Sequence, residues 1–203
     1  LTDPIVTDDC RELNFTNEIG YGNSTRLLKN IIGLWLVQEC RRSWATQGNL
    51  YSYDELTEMA MKSEPHRSVL NPSDPRFLAP DNMPQRIVEI CNETNQLVPE
   101  TPGAIIRCVL ESLALLYSRT LREAEKLVGW KVERLHIVGG GSKNILLNQL
   151  TADAANIDVI AELAFFQTKI IKIIKAIATQ AVSSKYIFNS PLIYFWMQFL
   201  WPV

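Results

Sequence analysis

The sequence predicts an α/β fold in which helices outweigh strands, and three observations carry that expectation. The apolar run Leu135-His136-Ile137-Val138 ends in Gly139-Gly140-Gly141, and polar residues then open an amphipathic stretch at Asn144. That is the order of a strand, a tight turn and a helix N-terminus. A second short strand candidate, residues 158–161, follows that helix. Ahead of both lie several stretches of helical apolar spacing, the longest opened by Thr101-Pro102. Helices and strands in this order describe part of a layered architecture.

Each element has its own local cause. Residues 1–24 are expected to be irregular, because Asn14, Asn17, Gly20, Gly22 and Asn23 mark turns. Residues 25–44 predict a helix: Leu27, Leu28, Ile31, Ile32, Leu34, Trp35 and Val37 supply a broad apolar face. Ser24 would be its N-cap, and Arg41 and Arg42 would favour the dipole in its last turn. A shorter helix is expected over 53–62, with Asp54 and Glu55 in its first turn and Pro65 barring continuation. Residues 71–80 form a proline-rich loop, since each proline holds its predecessor extended. Asp81 is placed to cap a helix over 83–93. The longest helix has Thr101 at its cap and Pro102 in its first turn, where the missing N–H costs nothing. It runs through Ile105, Ile106, Val109, Leu113, Leu116, Leu121 and Leu127 to a stop at Gly129. The strand before the glycines, a helix over 144–155 and the strand 158–161 follow. Two strands are too few for a complete sheet, so the domain is expected to be partial.

The glycine triple is the strongest functional signal. Glycines take φ > 0 freely and let a ligand approach without meeting a Cβ. The helix that follows offers free N–H groups and a positive dipole end, which suit an anion. A nucleotide phosphate or ribose edge is one guest; a tight turn with no ligand explains the same residues equally well.

Composition narrows the classes. In 203 residues, 47% are hydrophobic, enough for a packed core, and 21% are charged, as in ordinary soluble proteins. A net charge of −2 without any Lys/Arg block argues against nucleic acid. The four cysteines show no CxxC and no metal-ligand spacing with the two histidines, so no metal site is expected. Residues 1–17 are polar and acidic with no apolar core, which predicts no signal peptide and a cytoplasmic location.

From Glu162 the text changes character, becoming Ile/Lys-rich over 169–175 and then aromatic and apolar over 192–201. The apolar part falls short of the roughly 20 residues a membrane span needs, so a membrane partner is not expected. Three readings stay open: core packing, adhesion to a membrane surface or partner, and text never selected to fold here.

Four separated motifs carry a resemblance. They are residues 13–18, beginning Leu13-Asn14-Phe15; residues 26–42, around Lys29-Asn30-Ile31; residues 71–77, Asn71 to Phe77; and residues 135–144 with 147–154 around the glycines. Together, over about 1–161, they resemble the rhamnulokinase branch of the FGGY sugar kinases, in the actin-like (ribonuclease H-like) ATPase superfamily. The resemblance implies two actin-like domains with sugar and ATP in the cleft between them. It implies transfer of the γ-phosphoryl group of ATP, with Mg²⁺, to the 1-hydroxyl of L-rhamnulose. It implies that residues 1–161 are most of the C-terminal, nucleotide-binding domain, carrying helical insertions. Residues 162–203 would be an aberrant tail, because the family's Ala-Leu-Gly-Asn segment is replaced by Glu162-Leu163-Ala164-Phe165-Phe166, as a shifted or misjoined reading frame would do.

Site residues follow one by one. Asn30 matches the position that contacts the sugar, and an amide both donates to and accepts from hydroxyls; the plain alternative is a helix-surface Asn. Gln38 matches an ATP-contacting position and, eight residues on along the expected helix, would share the face of Asn30; its alternative is a solvated polar residue. Gly140 matches the nucleotide-contacting glycine, flanked by Gly139 and Gly141, with Lys143 and Asn144 near the same mouth. The resemblance also admits a Cys91–Cys108 bridge, whose alternative is two buried free thiols. The family's catalytic aspartate, in a His-Asp-Thr type motif, has no counterpart among these residues, so the base is expected in an N-terminal domain and this chain alone is expected to be inactive. His136 fits a packed strand histidine better than a base. Ile19 stands where the family has Gly. Two rival functions remain: a kinase for L-fuculose or L-xylulose, and an inactive nucleotide- or partner-binding module.

Overall fold

The computed structural model describes residues 1–162 and a short strand at Tyr194–Phe195. The expectations for residues 163–193 and 196–203 lie outside the described residues. The elements are α1 (Asp8–Glu12), β1 (Thr16–Ile19), β2 (Thr25–Leu28), α2 (Trp35–Thr46), α3 (Tyr53–Lys62), α4 (Met83–Glu93), α5 (Pro102–Val128), β3 (Arg134–Val138), α6 (Ile145–Ala155), β4 (Asp158–Glu162) and β5 (Tyr194–Phe195).

Side-chain caps set most helix starts. Ser52 Oγ accepts from Glu55 N at 3.1 Å while Glu55 Oε2 accepts from Ser52 N at 2.7 Å, a reciprocal box that starts α3. Thr101 Oγ1 accepts from Ala104 N at 3.2 Å to start α5. That helix stops at Gly129, left-handed at φ 78°, whose N–H donates to Glu125 O at 2.9 Å. The cap of α4 is Asn82 rather than Asp81, which pairs with Arg86 at 2.8 Å.

The amino-terminal part departs from expectation. Residues 25–44 are not one helix: Thr25–Leu28 is a strand paired antiparallel with Thr16–Ile19, Thr16 opposite Leu28 and Ile19 opposite Thr25. Gly33 lies between β2 and α2, where helix would cost about 1 kcal/mol relative to alanine, and α2 starts only at Trp35. Arg41 and Arg42 therefore stand mid-helix, and Ser24, instead of starting an α-helix, closes the 3-10 turn Tyr21–Asn23 by donating its N–H and hydroxyl to Tyr21 O at 3.2 and 2.7 Å. Gly22 and Asn23, at φ 63° and 61°, turn the hairpin, so Ile19 needs no special backbone and stands 91% exposed at the end of β1. The short helix α1 is capped by Thr7.

Parallel strands in the order β4-β3-β5 form the second sheet, with Leu135 opposite Val159 and His136 opposite both Ile160 and Tyr194. The main core is helical: Leu36, Val37 and Cys40 of α2, Leu56 and Ala60 of α3, Ile87 and Ile90 of α4, and Ile106, Val109, Leu110 and Leu113 of α5. Phe77, fully buried, plugs it from the proline-rich loop, and its carbonyl accepts from Trp35 Nε1 at 3.0 Å. Arg76 clamps that loop to Asp74 and to Glu93 of α4. A second cluster of Cys10, Phe15 and Ala124 joins the amino-terminal hairpin to the far end of α5.

Candidate functional site

The glycine segment lies between β3 and α6, and its backbone explains the residue types. Gly139 has φ 82° and ψ −157°, a conformation that side chains with a Cβ rarely adopt. Residues Gly140–Lys143 form one 3-10 turn, and Asn144 caps α6 by accepting from Leu147 N at 2.9 Å. Of the triple, Gly140 alone is exposed; Gly139 is half-buried and Gly141 buried. The exposed backbone thus sits one turn ahead of a helix N-terminus, an arrangement that favours an anion.

Side chains hold this turn from three sides. Ser142 Oγ donates to Gly139 O at 2.7 Å across the turn. Asn148 Nδ2, reaching back from α6, donates to Ser142 O at 2.9 Å. Asn144 Nδ2 donates to Thr57 Oγ1 of α3 at 3.1 Å, tying the segment to a helix 87 residues earlier. Lys143 is exposed and is the cation nearest in sequence.

The other expected site residues are placed differently from the helical expectation. Asn30 is exposed in the irregular stretch after β2, and Gln38 is half-buried in the first turn of α2. They cannot share a helix face, because no helix joins them. His136 is half-buried in β3. Thr57 and Asn148, which fix the turn, gave no sequence signal; an Asn three residues before a helix's first buried leucine pointed only to Asn144.

The four cysteines are buried and free. The neighbouring Cys108 thiol holds the Cys91 thiol down at about 7, while Cys91 and burial push Cys108 up. The bridge that the resemblance admits is not formed here; the pair of buried thiols is what the structure holds. Ser68 Oγ is buried and closes no hydrogen bond among the described residues. A cavity of about 350 Å³ borders this cluster at the start of α5, lined by Arg67, Arg107, Glu111 and Cys108 among others, and it shares no lining residue with the glycine turn.

Among the described residues no group of His, Cys, Asp or Glu is placed to hold a metal ion, and no helix is long and apolar enough to cross a membrane.

Residues 1–163 match the family described as FGGY family of carbohydrate kinases, C-terminal domain. A protein named rhamnulokinase from Bacteroides thetaiotaomicron is 48% identical over 158 residues, 78% of this chain and 32% of that protein. Rhamnulokinases from Enterococcus faecalis, 49% over 156 residues, and Bacillus subtilis, 43% over 150, cover 76% and 74% of this chain and 31% and 30% of their own length. The chain spans about a third of the curated relatives it matches. That family is of the actin-like ATPase class, in keeping with the partial α/β architecture. The chain belongs to the FGGY family of carbohydrate kinases and corresponds to their C-terminal domain.

Proposed function

We propose that this chain is the nucleotide side of a kinase that moves the γ-phosphoryl group of ATP to the 1-hydroxyl of L-rhamnulose. The observation that carries the proposal is the glycine turn: a backbone that requires Gly139, an exposed Gly140 and a capped helix behind it, in a chain whose relatives are named rhamnulokinase. Backbone amides around Gly139, Gly140 and Gly141 hold the nucleotide, Gln38 contacts it from α2, and Asn30 reaches the sugar hydroxyls from the exposed stretch after β2. When bound, Mg²⁺ would neutralise charge on the nucleotide phosphates. Residues 162–203 are an addition to the family's domain, a division supported by the end of the family match at residue 163, with Tyr194–Phe195 of that addition lying against β3. A small-molecule disulfide, reduced to two thiols as it takes the electrons and protons of both cysteines, would close a Cys91–Cys108 bridge, a reading supported by the neighbouring burial of the two thiols.

The base that takes the proton from the sugar hydroxyl belongs to an N-terminal domain, and the chain alone is inactive. Phosphoryl transfer depends on positioning and charge stabilisation from both sides of the cleft. Purified chain should bind MgATP in calorimetry yet show no turnover with L-rhamnulose, and a separately expressed N-terminal domain should restore turnover. Turnover by the chain alone at an ordinary kinase rate would overturn the division of labour. Turnover of the mixture only on L-fuculose or L-xylulose would overturn the sugar assignment.

A further inference from the structure

We propose that Thr57 is a positioning residue for the nucleotide: through Asn144 it sets the glycine turn that the proposed function assigns to ATP. The proposal rests on that assignment, and it concerns a helix that carries none of the nucleotide-contacting residues.

The hydrogen-bond inventory fixes the direction of each contact. Thr57 has one hydroxyl proton, and it is committed to Tyr53 O at 2.8 Å within α3. Thr57 Oγ1 can therefore only accept from Asn144, which must present its Nδ2, at 3.1 Å. With Nδ2 so engaged, Asn144 Oδ1 faces Leu147 N at 2.9 Å and caps α6. A flipped amide would set Oδ1 against a hydroxyl with no proton left and Nδ2 against the Leu147 N–H. The Leu147 N–H and the Thr57 hydroxyl thus select one orientation of Asn144 together, and the Thr57 contact ties that cap to α3.

The same part of the chain also grips α2. Arg41 Nε donates to Tyr51 O at 2.6 Å, and the Arg41 guanidinium lies 4.9 Å from the Tyr53 ring centre. Arg41 stands three residues after Gln38 on that helix, within one turn. Residues 51–57 therefore brace both elements assigned to the nucleotide, α2 by Arg41 and the glycine turn by Asn144.

The test compares Thr57→Val, Thr57→Ser and Thr120→Val. Thr120 is also buried and its hydroxyl bonds back within its own helix, to Leu116 O at 2.9 Å. Thr120→Val therefore controls for loss of a buried hydroxyl as such. Calorimetry with MgATP should show Thr57→Val weakened roughly five-fold, the size of one neutral hydrogen bond, with Thr57→Ser and Thr120→Val near the parent. Equal weakening by Thr57→Val and Thr120→Val, or none by Thr57→Val, would overturn the proposal. Should the parent chain bind no nucleotide, the ATP assignment fails by itself. Amide exchange of residues 139–144 then decides: faster in Thr57→Val but not in Thr57→Ser supports the brace, and unchanged exchange refutes it.

Discussion

Gly139 illustrates what a single residue contributes. Its φ of 82° with ψ of −157° is open to glycine, while a Cβ built there meets nothing within 4 Å. The penalty for alanine would be backbone strain alone, on the order of 1–3 kcal/mol. Gly139→Ala should lower the thermal midpoint and weaken MgATP binding together, measured by melting and calorimetry on one preparation. Glu123 shows the electrostatic counterpart. Burial pulls its pKa upward, but hydrogen bonds from Lys29 Nζ at 2.6 Å and Arg119 Nε at 2.8 Å hold it below the ordinary carboxylate range. A depressed folded-state pKa adds stability that is complete above the unfolded value and fades as pH falls through the folded one. Glu123→Gln should therefore be less stable than the parent at neutral pH, and the gap in melting temperature should narrow as pH is lowered from about 5 towards 3.

Among the elements, the proline-rich loop does more than connect. Phe77 is buried to 0% exposure and its carbonyl receives the Trp35 indole, so this short 3-10 turn forms part of the core. Phe77→Ala should cost about 3–5 kcal/mol in denaturant unfolding, as for other aromatic truncations in cores. Helices α3, α4 and α5 are legible from sequence because most of their boundary signals are local: Asp54 and Glu55 in the first turn of α3 with Pro65 beyond it, Thr101-Pro102 opening α5 and Gly129 ending it, whereas the cap of α4 falls one residue after the expected Asp81. The β1–β2 hairpin was not legible. Its apolar residues, Leu27 and Leu28, run on into Ile31, Ile32 and Leu34, so helical spacing masked a strand whose partner lies in a polar stretch. The candidate site divides the same way. The glycine turn announces itself in adjacent residues, whereas the Thr57–Asn144 bond joins positions 87 apart and leaves no trace in local pattern.

At the scale of the molecule, the sheet order β4-β3-β5 gives the strand before the glycine turn one neighbour on each side. The β5 side pairs only at His136 and Ile137, against five paired positions on the β4 side. If residues 162–203 are an addition to the family's domain, a chain ending at residue 162 should bind MgATP as the longer chain does and gain solubility from the loss of apolar text. Loss of nucleotide affinity on truncation would instead make the tail part of the domain. Helix α5 ties the remainder together. At 27 residues and 1.5 Å per residue it is a rod about 40 Å long. Its early turns pack Ile106, Val109 and Leu110 into the main core, and Ala124 near its end anchors the cluster around Cys10 and Phe15. One backbone therefore serves two hydrophobic centres. Heating cannot peel off the amino-terminal segment as an independent cooperative unit without baring that far end of the rod, so both centres should melt in a single calorimetric transition.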